Sequence, residues 1–203
     1  MAHALLRDLW FHHTDDVALR TITPRGVCGW RRPAANVCNA GTWSLWTAAI
    51  HAVVGADSRG FDGGKEINGR KRHLVVDCLG LLLAVLVTPA STTDRDAAHA
   101  MLPPLRARFF RLKLIWADGS YSGALVDWAA TALRLALRVV KRTEATAGFQ
   151  VLPRRWVIER TNGWLMRTRR LARDYERTTA TAEAMIYWSM TALMIRRLAR
   201  RAR

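Results

Sequence analysis

The fold is decided by the stretch RKRHLVVDCLGLLLAVLVT, residues 70–88. Two apolar runs within it, His73–Asp77 and Leu81–Thr88, flank the short segment Cys78-Leu79-Gly80. Strand-forming runs of this length around a glycine turn predict a β-hairpin, and the second run is apolar enough to be a buried strand. The preceding segment, Gly55–Gly69, is polar and glycine-rich and predicts a loop.

Helices and strands alternate downstream of this hairpin. Ser91-Thr92-Thr93-Asp94 offers N-cap residues, and Pro153 suits the first turn of a helix. The predicted elements are, in order, a helix over Arg95–Phe110, a strand over Leu112–Ala117, a helix over Ala124–Ala136, a strand over Leu137–Arg142, a loop over Thr143–Leu152, a helix over Pro153–Arg173 and a helix over Thr181–Arg200. This order predicts an α/β fold, with helices packed against a mixed sheet.

The composition points to a globular protein with a polyanionic partner. Half of the 203 residues are hydrophobic, which is enough for a core. Lysine and arginine number 32 against 16 acidic residues, which gives a net charge of +16. Double-stranded DNA is the partner we predict, because neutralising its phosphates releases condensed counterions. A membrane surface is the second candidate for such a charge.

Other classes of protein are disfavoured by the sequence. The longest apolar run, Leu79–Val87, is shorter than the roughly 20 residues of a membrane-spanning helix. The N-terminus lacks the layout of a signal peptide, so we expect a cytoplasmic protein and no membrane association. The three cysteines form no C-x-x-C pair, which indicates neither a disulfide framework nor a zinc site.

Four blocks of residues occur in the order that is usual for one family of mobile-element proteins. The blocks are Ser58–Lys65 with Asn68–His73; Leu74–Leu81 with Ala90-Ser91 and Asp94-Arg95-Asp96; Trp116-Ala117-Asp118-Gly119 with Tyr121 and Gly123; and Leu152–Thr161 with Arg169-Arg170-Leu171 and Asp174–Arg177. Through them the chain resembles insertion-sequence transposases of the DDE superfamily, insertion sequence family 5 type, over about residues 54–200.

The resemblance implies an RNase H-like fold, a mixed sheet flanked by helices, in which two aspartates and a glutamate hold two divalent metal ions. Asp118 resembles the second aspartate and Glu159 the glutamate. The implied cofactor is Mg²⁺, or Mn²⁺ in its place, because Mg²⁺ prefers carboxylates, water and phosphate as ligands. In phosphodiester cleavage one ion activates the attacking oxygen and the other stabilises the leaving oxygen.

The first aspartate of this triad is not found. The family carries it in an apolar strand, followed by serine, upstream of the glycine-rich loop, whereas Trp46–Val54 contains no carboxylate. We therefore expect an RNase H-like sheet with its first catalytic strand missing or replaced. Residues 1–53 form an unassigned segment, and residues 54–203 form a catalytic-type domain. A deletion or frameshift around residues 43–54 would explain the departure.

Three alternatives follow from the missing block. Leu45–Val54 could supply the strand, since Ala48–Val54 is short, apolar and compatible with β structure. Asp57 or Asp62 could act as a surrogate ligand from the glycine-rich loop. Finally, a sheet without its central strand would leave backbone groups unpaired, and the chain would not fold stably.

Two basic segments are predicted to contact DNA phosphates, because guanidinium forks match phosphate oxygens. Structural alternatives remain open: Asp118-Gly119 can simply end a strand, and Glu159 can pair with Arg155 one helical turn earlier. Trp156 and Trp164 are predicted to lie in the core, and His73 to be structural or a phosphate contact. The predicted DNA contacts are Lys65, Arg70, Lys71, Arg72, Arg154, Arg155, Arg160, Arg169 and Arg170.

The function predicted from these residues is DNA transposition, with metal-dependent cleavage and transfer of insertion-sequence ends impaired by the missing ligand. The alternative is a non-catalytic DNA-binding remnant that interferes with an intact transposase. The predicted partners are DNA and either further copies of the chain or an intact transposase.

Overall fold

In the described part of the chain, six strands form one mixed sheet, with α-helices on both of its faces. The computed structural model describes residues 42–52, 58–140 and 155–201. The strands are β1 (Thr42–His51), β2 (Gly60–Asp62), β3 (Ile67–Val76), β4 (Leu82–Pro89), β5 (Leu114–Ala117) and β6 (Ala136–Val139). The helices are α1 (Asp94–Arg108), α2 (Ala124–Leu133), α3 (Arg155–Met166), α4 (Arg169–Ala172) and α5 (Thr179–Arg201).

The sheet combines an antiparallel part with a parallel part. Strand β3 pairs antiparallel with β1, β2 and β4, whereas β1 pairs parallel with β5, and β5 parallel with β6. The path across the sheet runs β2-β3-β1-β5-β6, with β4 also paired to β3. This mixed sheet between helices confirms the predicted α/β, RNase H-like fold.

Strand β1 fills the central place for which no family motif was found. It lies between β3 and β5, so the strand is replaced rather than missing. This confirms the alternative in which the stretch from Leu45 onward supplies the strand. The sheet also begins upstream of the domain boundary expected at residue 54. Polar and apolar residues do not alternate regularly in the sequence TWSLWTAAIH, so the sequence alone gives a weak strand signal. The pairing of β1 depends on partners that are distant in the chain.

Two hydrophobic clusters cover the two faces of the sheet. On one face, Leu74 and Val76 of β3 pack with residues of α3, α4 and α5. On the other face, Leu45 of β1 and Val75 of β3 pack with residues of α1 and α2. Because side chains alternate along a strand, even-numbered residues of β3 face α3–α5 and odd-numbered ones face α1 and α2. This alternation decides the environment of each basic residue in β3.

The predicted elements are observed with shifted ends. Thr93 caps α1 by accepting a hydrogen bond from the Asp96 amide at 3.2 Å. The predicted glycine-rich loop contains β2 and the start of β3, and the helix predicted over Pro153–Arg173 is divided into α3 and α4. The loop predicted over Thr143–Leu152 lies outside the described residues. None of the described helices is long and apolar enough to cross a membrane.

Candidate metal and nucleic-acid site

Asp118 lies at the end of β5, as predicted. It caps a short 3₁₀ turn, Gly119–Tyr121, by accepting a hydrogen bond from the Ser120 amide at 3.0 Å, and it also accepts one from the Ser120 hydroxyl. The side chain is only partly buried. This position does not distinguish the catalytic role from the alternative that an Asp-Gly pair ends a strand, so the catalytic role stays a prediction.

Strand β1 runs beside Asp118 without offering a carboxylate. The parallel ladder pairs Thr42 with Leu114 and continues to Leu45 with Ala117, after which Trp46 and Asp118 follow on their respective strands. No residue from 42 to 52 is Asp or Glu. The neighbouring strand therefore adds no acidic ligand to Asp118.

Glu159 is carried by α3 and its side chain is exposed. Helix α3 contacts β1, the strand next to β5. Glu159 thus comes from a helix that packs against the central part of the sheet. Its suggested helical pairing with Arg155 stays a prediction, because the side chain of Arg155 lies outside the described atoms.

The described carboxylates do not fit the metal site that the resemblance implies. Within residues 42–52, 58–140 and 155–201, no group of three His, Cys, Asp or Glu side chains could hold a metal ion. Two ions on three carboxylates require a ligand set that Asp118 and Glu159 alone do not provide. We therefore derive no catalytic step through a metal ion.

Asp62 is not available as the surrogate ligand. Its Oδ2 lies 3.1 Å from Lys71 Nζ, and its Oδ1 accepts a hydrogen bond from the Gly64 amide at 3.0 Å. Burial raises the pKa of the carboxyl group, but these bonds and the lysine charge together outweigh it and hold the pKa below its usual value. The carboxylate of Asp62 is thus already paired with Lys71 of β3 and with the Gly64 amide. The other surrogate, Asp57, lies outside the described residues.

Three of the predicted phosphate contacts are buried side chains of β3. Arg70 is 0% exposed, and its Nη1 lies 3.3 Å from Asp174 Oδ2 and donates to the Glu176 carbonyl at 2.7 Å. Arg72 is 2% exposed and donates to the Leu171 carbonyl at 2.8 Å. Burial lowers the pKa of Arg72 to about 10. DNA cannot reach either guanidinium in this structure, which corrects the prediction for Arg70 and Arg72.

Lys71 points to the opposite face from its two arginine neighbours. Besides Asp62, it lies 3.7 Å from Asp94 Oδ1 and donates to the Thr92 carbonyl at 2.9 Å. Its side chain is only 9% exposed. Lys71 thus ties the β2–β3 turn to the start of α1, a structural role that its charge alone did not reveal.

The remaining predicted contacts differ in their exposure. Lys65 and Arg169 are exposed, and Arg170 is exposed while its Nη2 lies 2.7 Å from Glu176 Oε1. Arg160 is half-buried and donates to the Leu79 carbonyl at 2.7 Å. Arg154 lies outside the described residues. Lys65 and Arg169 are therefore the predicted contacts that the structure leaves most accessible to a phosphate.

Arg160 also joins a ladder of alternating tryptophan and arginine side chains. Its guanidinium carbon lies 4.3 Å from the ring centroid of Trp156 and 4.9 Å from that of Trp164, which Arg197 approaches at 4.2 Å. Trp164 packs against the core, but Trp156 is 45% exposed. The prediction of a core position is therefore wrong for Trp156, because its ring is covered by an arginine rather than by apolar residues.

The sequence patterns did not reveal a partly buried hydrogen-bond network that includes Tyr121, the last residue of the turn capped by Asp118. Thr47 Oγ1 on β1 bonds to Tyr121 Oη and lies 2.9 Å from His73 Nδ1, while His73 Nε2 lies 2.9 Å from Thr88 Oγ1. Burial lowers the pKa of His73 to about 4 and raises that of Tyr121. His73 thus has the structural role that was one of its two predicted readings. Its three partners, Thr47, Thr88 and Tyr121, come from three separate segments, so no local pattern could have revealed them.

The structure thus presents a mixed sheet between helices, with Asp118 at the end of β5 and Glu159 on α3. A comparison with known protein families identifies the family of this chain. The profile of the transposase DDE domain family matches residues 35–195. The chain therefore belongs to the transposase DDE domain family.

One curated relative and one solved structure illustrate the likeness. A Burkholderia cepacia protein described as a transposase for insertion sequence element IS402 is 32% identical over 117 residues, 54% of each chain. The chain thus spans about half the length of this relative. A chain in the cryo-EM structure of the simian T-cell lymphotropic virus intasome with PP2A regulatory subunit B56 gamma is 18% identical, with a TM-score of 0.46, covering 80% of this chain and 51% of that one.

Proposed function

We propose that this chain acts in DNA transposition as a DNA-binding member of the DDE transposases, of the insertion sequence family 5 type, whose cleavage activity is impaired. The observation that carries the proposal is the central strand β1, which lies beside Asp118 and contains no carboxylate. The rest of the sheet is in place around it. These observations support a chain that keeps the sheet of its family but has an incomplete ligand set for Mg²⁺ or Mn²⁺.

DNA binding in this proposal rests on charge outside the buried arginines of β3. The net charge is +16, and a series of arginines around α4 is exposed to solvent. Exposed arginines of this kind neutralise phosphates and release counterions. The proposed contacts are Lys65, Arg167, Arg169, Arg170 and Arg173, together with Arg154 and with Arg155, the first residue of α3.

Loss of one carboxylate should strongly reduce cleavage. Asp118 and Glu159 are the ligands that remain, and Mg²⁺ would have to complete its shell with water and phosphate. A misplacement of the attacking oxygen by about 1 Å costs on the order of a hundredfold in rate. The alternative proposal follows from the same strand: a chain that binds DNA without cutting it would compete with an intact transposase, or assemble with it, and reduce its activity.

The test uses fluorescently labelled DNA that carries the ends of the chain's own insertion element. Affinity is measured over a range of salt concentrations, and cutting is measured with Mg²⁺ or Mn²⁺ for the wild type, Asp118→Ala and Glu159→Ala. We expect salt-sensitive binding and no metal-dependent cutting. Cutting that both substitutions abolish would refute impairment, and the absence of salt-sensitive binding would refute the DNA-binding function.

The accessible basic residues provide a matched comparison. Lys65→Ala or Arg169→Ala should each lower the slope of log affinity against log salt by about 1, the value expected for one lost phosphate contact. A control variant, Lys113→Ala, removes an exposed positive charge that directly precedes β5 and lies outside both basic segments of the sequence. An equal loss for all three variants would argue against a defined DNA surface.

A further inference from the structure

One side of helix α5 is exposed although it is apolar. Ile186 and Met190 of this helix belong to the hydrophobic cluster that packs α5 against the sheet. Trp188, Ile195 and Leu198, on the other side of the helix, are 55%, 58% and 41% exposed. At about 100° per residue, these three lie on average roughly 150° around the helix from the two buried ones. In the described part of the chain, α5 thus has one face in the core and a second apolar face in solvent.

The residues of this second face repeat with the spacing of a heptad. They follow one another at alternating steps of three and four residues along the helix. Steps of this kind form a stripe that one helix presents to another helix. We call this stripe the outer face; it consists of Thr181, Ala184, Trp188, Thr191, Ile195 and Leu198. The outer face is therefore suited to a second helix.

The outer face carries no charge in a strongly basic chain. None of its residues is charged, and neither are Met185, Ala192 and Ala199 beside it. The chain as a whole has a net charge of +16. A surface for DNA presents lysine or arginine, and so does a surface for an acidic protein. The occupant that fits the outer face is an apolar helix.

The outer face is complementary to itself when two copies of α5 pack antiparallel. In the register whose two-fold axis passes near the middle of α5, between residues 189 and 190, each large side chain of one copy lies opposite a small one of the other. The opposed pairs are Trp188 with Thr191, Ile195 with Ala184, and Leu198 with Thr181. Large side chains facing small ones allow the two layers to interdigitate. The same patch serves both copies, so the assembly closes as a dimer.

The charges at the C-terminal end of α5 favour the antiparallel orientation. The arginines there are Arg196, Arg197, Arg200 and Arg201. In a parallel pair they would face their counterparts across an interaxial distance of about 8–10 Å. In the antiparallel pair the two groups are centred about 27 Å apart, at a rise of about 1.5 Å per residue. This separation exceeds twice the Debye length of about 10 Å at 0.1 M salt, so the repulsion is largely screened.

We propose that the outer face of α5 binds a second copy of this chain, and that the two α5 helices form the antiparallel centre of a symmetric dimer. Specific interfaces bury at least about 1,000 Å² in total, and a single helix pair lies near this lower limit. We therefore expect a weak dimer that dissociates on dilution. The proposal does not depend on the proposed DNA binding, because the outer face contains no basic residue.

The experiment measures the mass of the full chain by analytical ultracentrifugation, without DNA, over about a hundredfold range of protein concentration. The variants are the wild type, Ile195→Glu, and Phe110→Glu, a matched control at a 72% exposed apolar residue that follows α1. Circular dichroism reports whether each variant is folded. Ile195→Glu should raise the dissociation constant more than about tenfold, because the dimer would bury unpaired carboxylates. Phe110→Glu should dimerise like the wild type.

Two outcomes of this experiment contradict the proposal. A wild-type chain that stays monomeric at every concentration overturns it and leaves the outer face to another protein or to another segment of the chain. Equal dissociation constants for folded Ile195→Glu and Phe110→Glu overturn it as well. The salt dependence adds a further criterion, because added salt screens the arginines and should tighten the dimer. Self-association that weakens as salt rises, as DNA binding does, would also overturn the proposal.

A cross-linking measurement decides the orientation and does not require Ile195→Glu to fold. With the three native cysteines replaced by serine, chains carrying Ile195→Cys and chains carrying Ala184→Cys are mixed and oxidised. We expect a disulfide between the two kinds of chain, detected by mass spectrometry. Either variant alone should cross-link little, because its two cysteines would be about 16 Å apart along the helix pair, beyond the roughly 7 Å limit for Cα atoms. No cross-link in the mixture, or an equal yield from Ile195→Cys alone, overturns the antiparallel dimer.

Discussion

Replacing Arg70 by methionine should destabilise the protein strongly without removing a DNA contact. The guanidinium is fully buried and donates to the Ser58 carbonyl at 3.0 Å and to the Glu176 carbonyl at 2.7 Å, in addition to its ion pair with Asp174. Methionine fills much of the volume but leaves these acceptors, and the 1% exposed Asp174 carboxylate, without their donor. Removing one partner of a buried ion pair costs about 3–5 kcal/mol.

Urea denaturation followed by circular dichroism would measure this loss. Since small domains are stable by only about 5–15 kcal/mol, a large part of the free energy of unfolding should disappear. The double variant Arg70→Met with Asp174→Leu also removes the buried carboxylate that has lost its ion pair, so it should recover part of the lost free energy of unfolding. The exposed Lys65→Met should change stability by less than about 0.5 kcal/mol. The reasoning fails if Arg70→Met costs under about 1 kcal/mol while the salt dependence of DNA binding decreases.

Three further outcomes are expected. The pKa of His73 is lowered to about 4, below its unfolded value of 6.5, so the unfolded state takes up a proton in between and stability falls as the pH drops through this window. Burial raises the pKa of Asp77 to about 6, which contributes stability at low pH that is lost as the pH rises through 6. The Asp77→Asn variant lacks this opposing effect and should show the effect of His73 alone. Its free energy of unfolding, measured by denaturation curves, should fall by roughly 3 kcal/mol as the pH drops from 6.5 to 4. A flat profile would contradict this. Gly80 has a φ of +75°, and an added Cβ would lie 2.7 Å from a threonine hydroxyl, so Gly80→Ala should cost more than about 1 kcal/mol in the same assay. Gly163→Ala, in open space on α3, should instead stabilise by about 0.5–1 kcal/mol, and similar effects at both glycines would count against the geometry. Tyr121→Phe loses the hydroxyl that bonds to β1 and should lower stability by about 1–3 kcal/mol, whereas an unchanged melting temperature would show that the bond contributes nothing.

The sequence determined the features that depend on local patterns. Residues a few positions apart predict three of these features: the hairpin of β3 and β4 with its turn at Gly80, the Thr93 cap of α1, and the end of β5 before Asp118. Strand alternation, capping side chains and turn glycines act over such short distances, so their signals survive in the chain itself. The same patterns placed Glu159 on a helix, and the motif residues carried the resemblance to DDE transposases, a family that the match over residues 35–195 confirms.

Only the tertiary structure decided which residues meet. Strand β1 has no regular alternation, and it became central because β3 and β5 satisfy its backbone hydrogen bonds from either side. The run Arg70-Lys71-Arg72 carries the same charge at each position, but Arg70 and Arg72 enter one face of the sheet and Lys71 the other. A basic side chain is the same in sequence whether it meets solvent or a buried acceptor, and pairing across a hundred residues, as between Arg70 and Asp174, exists only once the chain has folded.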